Sequence, residues 1–181
     1  MYSNQNILIM QIELKNIKFS EAMSEETNAF VCDVYVNKVK VAYAKNDGHG
    51  GCTYYNAYIG KGEVVNQAED FCKALPPLKY GGMELPMSLE MKIDNLLSDW
   101  LKAKDQAKFD KKLQKDMLTG LCVKTPNGYS QIVWNSNKRN KITIAEMVSV
   151  QNGRELLKKT IAQAKADGKE VLNTNIPQHL F

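Results

Sequence analysis

Hydrophobic and polar positions alternate through the first third of the chain and then change to helical spacing. Residues 11–19 alternate in two phases, with Ile12 and Leu14 on one side and Ile17 and Phe19 on the other. Such a change of face in mid-strand predicts a bulge or a bend. Residues 21–27 are polar and read as a loop. Over residues 28–36, Phe30, Cys32, Val34 and Val36 share one face, the period of two expected of a half-buried strand. Asn37-Lys38 then forms a two-residue turn, and Val39, Val41 and Tyr43 continue on the return strand. Glycine would suit the second turn position better than Lys38. A glycine-rich loop follows, and residues 53–59 (TYYNAYI) predict a third, aromatic strand.

The middle of the chain is helical. Val65, Ala68, Phe71, Cys72 and Leu75 predict a helix over residues 64–75, stopped by Pro76-Pro77. Ser88 can cap a long helix reaching about residue 118, whose stripe is Leu89, Ile93, Leu96, Trp100 and Ala107, continued by Leu113 and Met117. At 1.5 Å per residue it would be about 45 Å long. Its distal half is lysine-rich and poor in apolar side chains, so it is expected to project, fray or pack on a partner. Residues 121–123 and 129–134 predict strands around Pro126-Asn127-Gly128. Thr143-Ile-Ala-Glu146 is a capping box, and Asn152 has N-cap spacing to Glu155. Leu156, Leu157, Ile161 and Ala164 form the buried face of that last helix, with Gly168 as its stop. A final strand is expected over residues 170–173. The order implies an α+β fold: an antiparallel sheet built from hairpins, with about four helices, one of them long and partly projecting. Residues 10–181 read as a single domain. Met10 can serve as an internal start, which would make residues 1–9 a leader.

Composition narrows the function classes. The chain has 181 residues, 44% hydrophobic and 24% charged, an ordinary globular mixture. No apolar run approaches the ~18 residues of a membrane span. Cys32, Cys52, Cys72 and Cys122 include no closely spaced pair, which argues against structural zinc and for reduced, packed thiols in a cytoplasmic setting. The formal charge of +4 comes from 22 lysines and only two arginines, against 20 acidic residues. Lysine meets phosphate as a point charge, whereas arginine supplies the fork that reads guanine edges. Sequence-specific duplex reading is therefore disfavoured.

The most distinctive stretch is Lys45-Asn-Asp-Gly-His-Gly-Gly-Cys-Thr-Tyr-Tyr55. Its glycines permit positive φ and can present consecutive N–H groups to an anion. One reading is a site for a nucleotide-type ligand. Gly48, Gly50 and Gly51 would donate from the backbone, Lys45 and His49 would supply charge, Asp47 would line the loop, and Tyr54 and Tyr55 would stack a base. The other is an ordinary strand connection with glycine turns. His49 with Cys52 could form a base and nucleophile, and with Asp47 a metal set, but three residues in one loop establish neither. The triplets Glu13-Leu14-Lys15 and Glu90-Met91-Lys92 match half a nuclease site and arise readily by chance in a Lys- and Glu-rich chain. No complete catalytic set is visible, and no cofactor or metal is implied. His179 is expected in solvent.

A second candidate is the basic stretch with Lys104, Lys108, Lys111, Lys112 and Lys115. With Lys102 these are interleaved with Asp105, Asp110 and Asp116, leaving a local charge of +3. It would support weak, salt-sensitive nucleic-acid binding, docking on a host protein, or self-association through the long helix; a solvated helix face is the plainer alternative.

The run VYVNKVKVAYAKNDGHGGCTYYNAY, with the later TIAEMV and NTNIPQ segments, resembles small proteins encoded by phages and mobile elements of gut bacteria. Members of that group often carry Val-Asn-Gly-Lys at the hairpin turn and Lys-Asn-Asp-Gly-x-Gly-Gly after it; here Lys38 replaces the glycine. The resemblance brings no activity and no catalytic residue. It implies a bacterial cytoplasm and an accessory binding role toward host proteins, nucleotides or nucleic acid, in some cases against host defence.

Overall fold

The computed structural model describes residues 10–137 and 140–181; the suggested leader, residues 1–9, lies outside them. The fold is α+β; the described residues form four α-helices, one of them long, and antiparallel sheets. The chain divides into two compact units, Met1–Lys102 and Ala103–Phe181. The boundary falls inside a helix, where the sequence offers no linker or change of composition. No described helix is long and apolar enough to cross a membrane.

The first unit is built on a four-stranded antiparallel meander of β1 (Ile12–Ser20), β2 (Ala29–Val36), β3 (Val39–Asn46) and β4 (Tyr54–Ala57), in that spatial order. The expected bulge lies in β1. Lys15 pairs with Asp33 and Lys18 with Val31, so three steps on β1 match two on β2. Asn16 takes φ +53° at this point. Asn37 and Lys38 form the turn between β2 and β3 with φ of +48° and +69°, the geometry of a type I′ hairpin. A second irregularity separates Val34 from Tyr35 in the pairing with β3. There Val41 and Ala42 are both buried although adjacent, which alternation alone does not anticipate.

One face of this sheet is covered. Phe30, Cys32, Val34 and Val36 pack with Val41 and Ala44, against Val65, Ala68 and Cys72 of α1 (Gly62–Lys73) and Leu89, Ile93 and Leu97 at the start of α2 (Leu89–Met117). Each fully buried aliphatic side chain contributes roughly 1.5–3 kcal/mol. Ser88 caps α2 by accepting the Met91 N–H at 3.1 Å. A short exposed hairpin, β5 (Leu78–Tyr80) and β6 (Met83–Leu85), turns on Gly81 and Gly82. That Gly-Gly signal was in the sequence, but the strands are too short for a periodic pattern.

The second unit contains the rest of α2, the hairpin β7 (Gly120–Thr125) and β8 (Gly128–Val133), the small pair β9 (Asn135–Asn137) and β10 (Asn140–Lys141), and the helices α3 (Ile144–Ser149) and α4 (Gln151–Ala166). Leu121, Val123, Ile144, Met147, Leu157 and Ile161 are at its core. The distal end of α2 packs within this unit: Met117 is buried, and Phe109 meets Tyr129 edge-on at 5.5 Å. Tyr129 also donates to Asp116 at 2.7 Å. Ala107, assigned to the buried stripe from its spacing, is exposed.

Thr143 and Glu146 form the expected capping box. Asn152 is not an N-cap, because α4 begins at Gln151 after Val150. Gly153 in its first turn approaches the Met147 carbonyl so closely that a β-carbon would overlap it. The strand expected over residues 170–173 is reduced to one bridge, Val171 with Val123, flanked by backbone bonds from Lys124 to Glu170 and from Leu172 to Cys122. Asn173 is buried here. It accepts the Cys122 N–H at 2.7 Å and donates to the carbonyls of Gly120 and Met117 at 3.1 and 3.3 Å.

Candidate ligand-binding site

Asn46, the buried last residue of β3, organises the glycine loop. Its Oδ1 accepts the Gly48 N–H at 2.8 Å and the Thr27 hydroxyl at 2.9 Å. Its Nδ2 donates to the Gly51 carbonyl at 2.9 Å. The Gly48 carbonyl in turn accepts the N–H groups of Glu25, Glu26 and Thr27 at 3.0–3.2 Å. Gly48 and Gly50 have φ of +92° and +89°, and a β-carbon on either would overlap the Met23 carbonyl or the Glu26 carboxylate. These two glycines therefore let the loop lie against residues 23–27. The Gly48 N–H is bonded to Asn46, and the Gly50 N–H to Thr27 at 3.3 Å; an anion would have to compete with these partners.

The side chains proposed for the loop separate onto two faces. Tyr55 turns to the helix side and donates to Glu69 at 3.0 Å. Burial and then the Glu69 contact push its hydroxyl up to about 12. Glu69 also accepts the Leu89 N–H at 2.9 Å, so Tyr55 belongs to the framework around the start of α2. Tyr54 points the other way and is 61% exposed. His49 pairs with Glu25 at 3.2 Å and, among the described residues, makes no hydrogen bond to Cys52. Lys45 lies 3.7 Å from Asp47, both of them exposed.

On the helix side of the loop, a cavity of about 310 Å³ is lined by Glu26, Asn46, Cys52, Thr53, Glu90 and Asp94, among others. Thr53 donates its N–H to Glu90 at 3.0 Å and its hydroxyl to Asp94 at 2.6 Å. Burial, reinforced by the Glu90 charge, raises the Asp94 carboxyl above its ordinary range. Three carboxylates make this side unfavourable for phosphate. Among the described residues, no group of three or more His, Cys, Asp or Glu is placed to hold a metal ion.

The opposite, open face of the sheet differs in chemistry. Paired residues form rows across the strands. The first row is Lys18–Val31–Lys45–Tyr54, the second Lys15–Asp33–Tyr43–Asn56, and the third Glu13–Tyr35–Lys40. Val31 is 42% exposed. Next to the first row, a hollow of about 280 Å³ has Met23, Ala29 and Val31 among its apolar lining and Lys18, Lys45 and Asp47 among its charged lining. In the second row, Asp33 accepts from Asn16 at 2.7 Å and Tyr58 at 2.8 Å, and pairs with Lys40 at 2.9 Å. These partners, Asn16 first, hold its carboxyl at about 2. Lys15 lies over the Tyr35 ring and Lys40 over the Tyr58 ring, at 4.5 and 4.8 Å.

Lys18, Tyr35 and Tyr58 are absent from the residues singled out in the sequence; Tyr43 was read in one alternation with Val41, but the irregularity in β3 leaves Val41 buried and Tyr43 on the open face beside Asp33. Alternation of Val31, Asp33 and Tyr35 with the buried set was the signal that could have found part of this face. The lysines of α2 form a separate group. Lys104, Lys108, Lys111, Lys112 and Lys115 fall within about 100° of helical arc at 100° per residue, on the side away from Leu113 and Met117, and Lys108 pairs with Asp105 at 3.5 Å. Comparison with protein-family models, with curated proteins and with solved structures found no match to this chain.

Proposed function

We propose that the protein is a non-catalytic binding protein for an anionic, nucleotide-bearing ligand, held at the loop end of the open sheet face. The observation that carries this reading is the row Lys18–Val31–Lys45–Tyr54 beside the apolar-floored hollow. Two ammonium groups flank an apolar surface, and an exposed phenol ring stands at the end of the row. Phosphate would lie between the lysines and the base over Val31 or against Tyr54. This keeps Lys45 and Tyr54 from the sequence reading, adds Lys18, and assigns Gly48 and Gly50 to shaping the loop. The bacterial, phage-associated setting implied by the resemblance belongs to the same proposal.

Calorimetric titration with nucleoside mono-, di- and triphosphates and cyclic dinucleotides tests it. Binding is expected for at least one of them, and the double variant Lys18→Ala/Lys45→Ala is expected to weaken it by about tenfold or more. Tyr54→Phe should retain affinity and Tyr54→Ala should lower it. No heat with any ligand, or full affinity in the double lysine variant, would overturn the reading.

A further inference from the structure

We infer that the whole open face of the four-stranded sheet is a platform for single-stranded nucleic acid, an extension that rests on the nucleotide reading of its first row. The β1 bulge brings two lysines together. Lys15 and Lys18 are three residues apart, and in a regular strand they would point to opposite faces. The extra residue at Asn16 aligns them with Asp33 and Val31, which share a face. Both ammonium groups therefore stand along the same edge of the open face, with Lys45 two strands away and Lys40 in the third row.

Between them lie the rings. Tyr43 and Tyr58 are 6.3 Å apart at 56°, Tyr35 is in the adjacent row, and Tyr54 ends the first. Tyr54 is exposed and Tyr35, Tyr43 and Tyr58 are half-buried on this face; such rings suit unstacked bases, which every single strand offers and a duplex hides. Four such strands present room for about two or three bases. The acids on this face are paired: Asp33 with Lys40, and held by Asn16 and Tyr58, Glu13 with Lys15 at 3.7 Å, and Asp47 with Lys45 at 3.7 Å. Lys15, which lies over Tyr35, is placed to move onto phosphate as a base takes the ring, while Lys40 stays on Asp33. Lysine without arginine predicts tolerance of sequence. An acidic peptide would satisfy the charges and leave the rings unused, so nucleic acid is the better match.

The test is fluorescence anisotropy of the full chain with labelled oligo-dT and oligo-rU of about 2 to 12 nucleotides. A duplex of equal length, polyglutamate and mononucleotides serve as competitors, at about 50 and 200 mM salt. Affinity should rise with length to a plateau, exceed that for duplex and polyglutamate by about tenfold or more, and fall with salt. Tyr43→Ala should weaken it by about 5- to 150-fold, the usual range for loss of one stacked base, whereas Tyr43→Phe should retain it. Lys15→Glu/Lys18→Glu, two exposed changes that leave the core intact, should also weaken it.

Mononucleotides bound as tightly as long oligomers would overturn this inference and leave the function proposed above standing. Oligomers bound without detectable mononucleotide binding would support the inference and remove the mononucleotide site. Equal affinity for duplex or polyglutamate would reduce the surface to a charged patch and overturn it. Binding lost only in a Lys108→Glu/Lys111→Glu/Lys112→Glu/Lys115→Glu variant would move the site to α2 and overturn it as well.

Discussion

Lys38 occupies a conformation that its β-carbon resists. At φ +69° it sits in the left-handed region after Asn37 at +48°, and side chains other than those of Asn and Asp are costly there. Replacing it by glycine removes that cost, and the larger unfolded-state entropy of glycine offsets part of the gain. Lys38→Gly is expected to stabilise the first unit by about 1 kcal/mol, read as a higher urea midpoint with an unchanged slope. This position was legible because a turn of two residues leaves few options. Gly48 and Gly50 were legible only as flexible. Their role depends on Thr27 and Asn46, whose side chains meet across 19 positions, and no local pattern announces such a contact.

At the scale of elements, Asp33 joins the β1 bulge, β2, β3 and Tyr58 through side chains alone. Its folded carboxyl titrates at about 2, below the ordinary 3.8. The unfolded chain therefore binds the proton first as pH falls. The stabilisation is complete above about pH 4 and is lost as pH drops toward 2. Thermal unfolding between pH 5 and 2 should show a steeper loss for the native chain than for Asp33→Asn; equal slopes would remove the assignment. Strand alternation and helix caps at Ser88 and Thr143 were readable because each depends on neighbours within a few residues. The paired burial of Val41 and Ala42, and the helix start at Gln151 rather than beyond Asn152, depend on contacts from other elements.

At the scale of the whole chain, two cores form on either side of a division within α2. The periodicity of α2 suggested one continuous stripe, yet Leu89, Ile93 and Leu97 belong to the first core while Met117 is buried in the second unit. A helix pattern records which side is apolar and does not record what covers it. The second unit also depends on Asn173, which bonds three backbone groups from residues 117–122. Asn173→Leu would leave buried donors and acceptors without partners and is expected to cost about 2–4 kcal/mol, measured as a lower denaturant midpoint. Nothing in the sequence distinguishes this asparagine from its exposed neighbours.

The irregular step in β1 has a further effect on how this protein behaves among copies of itself. Among the described residues β1 is one edge of the sheet, and an edge of nine residues is a ready template for another chain's strand. The bulge divides that edge into a stretch of four regularly paired positions and one of three, 12–15 and 18–20. Lysines stand at the inner end of each. An incoming strand would find no long flat ladder to extend, so the same extra residue that places Lys15 and Lys18 side by side also guards the sheet against fibrous aggregation.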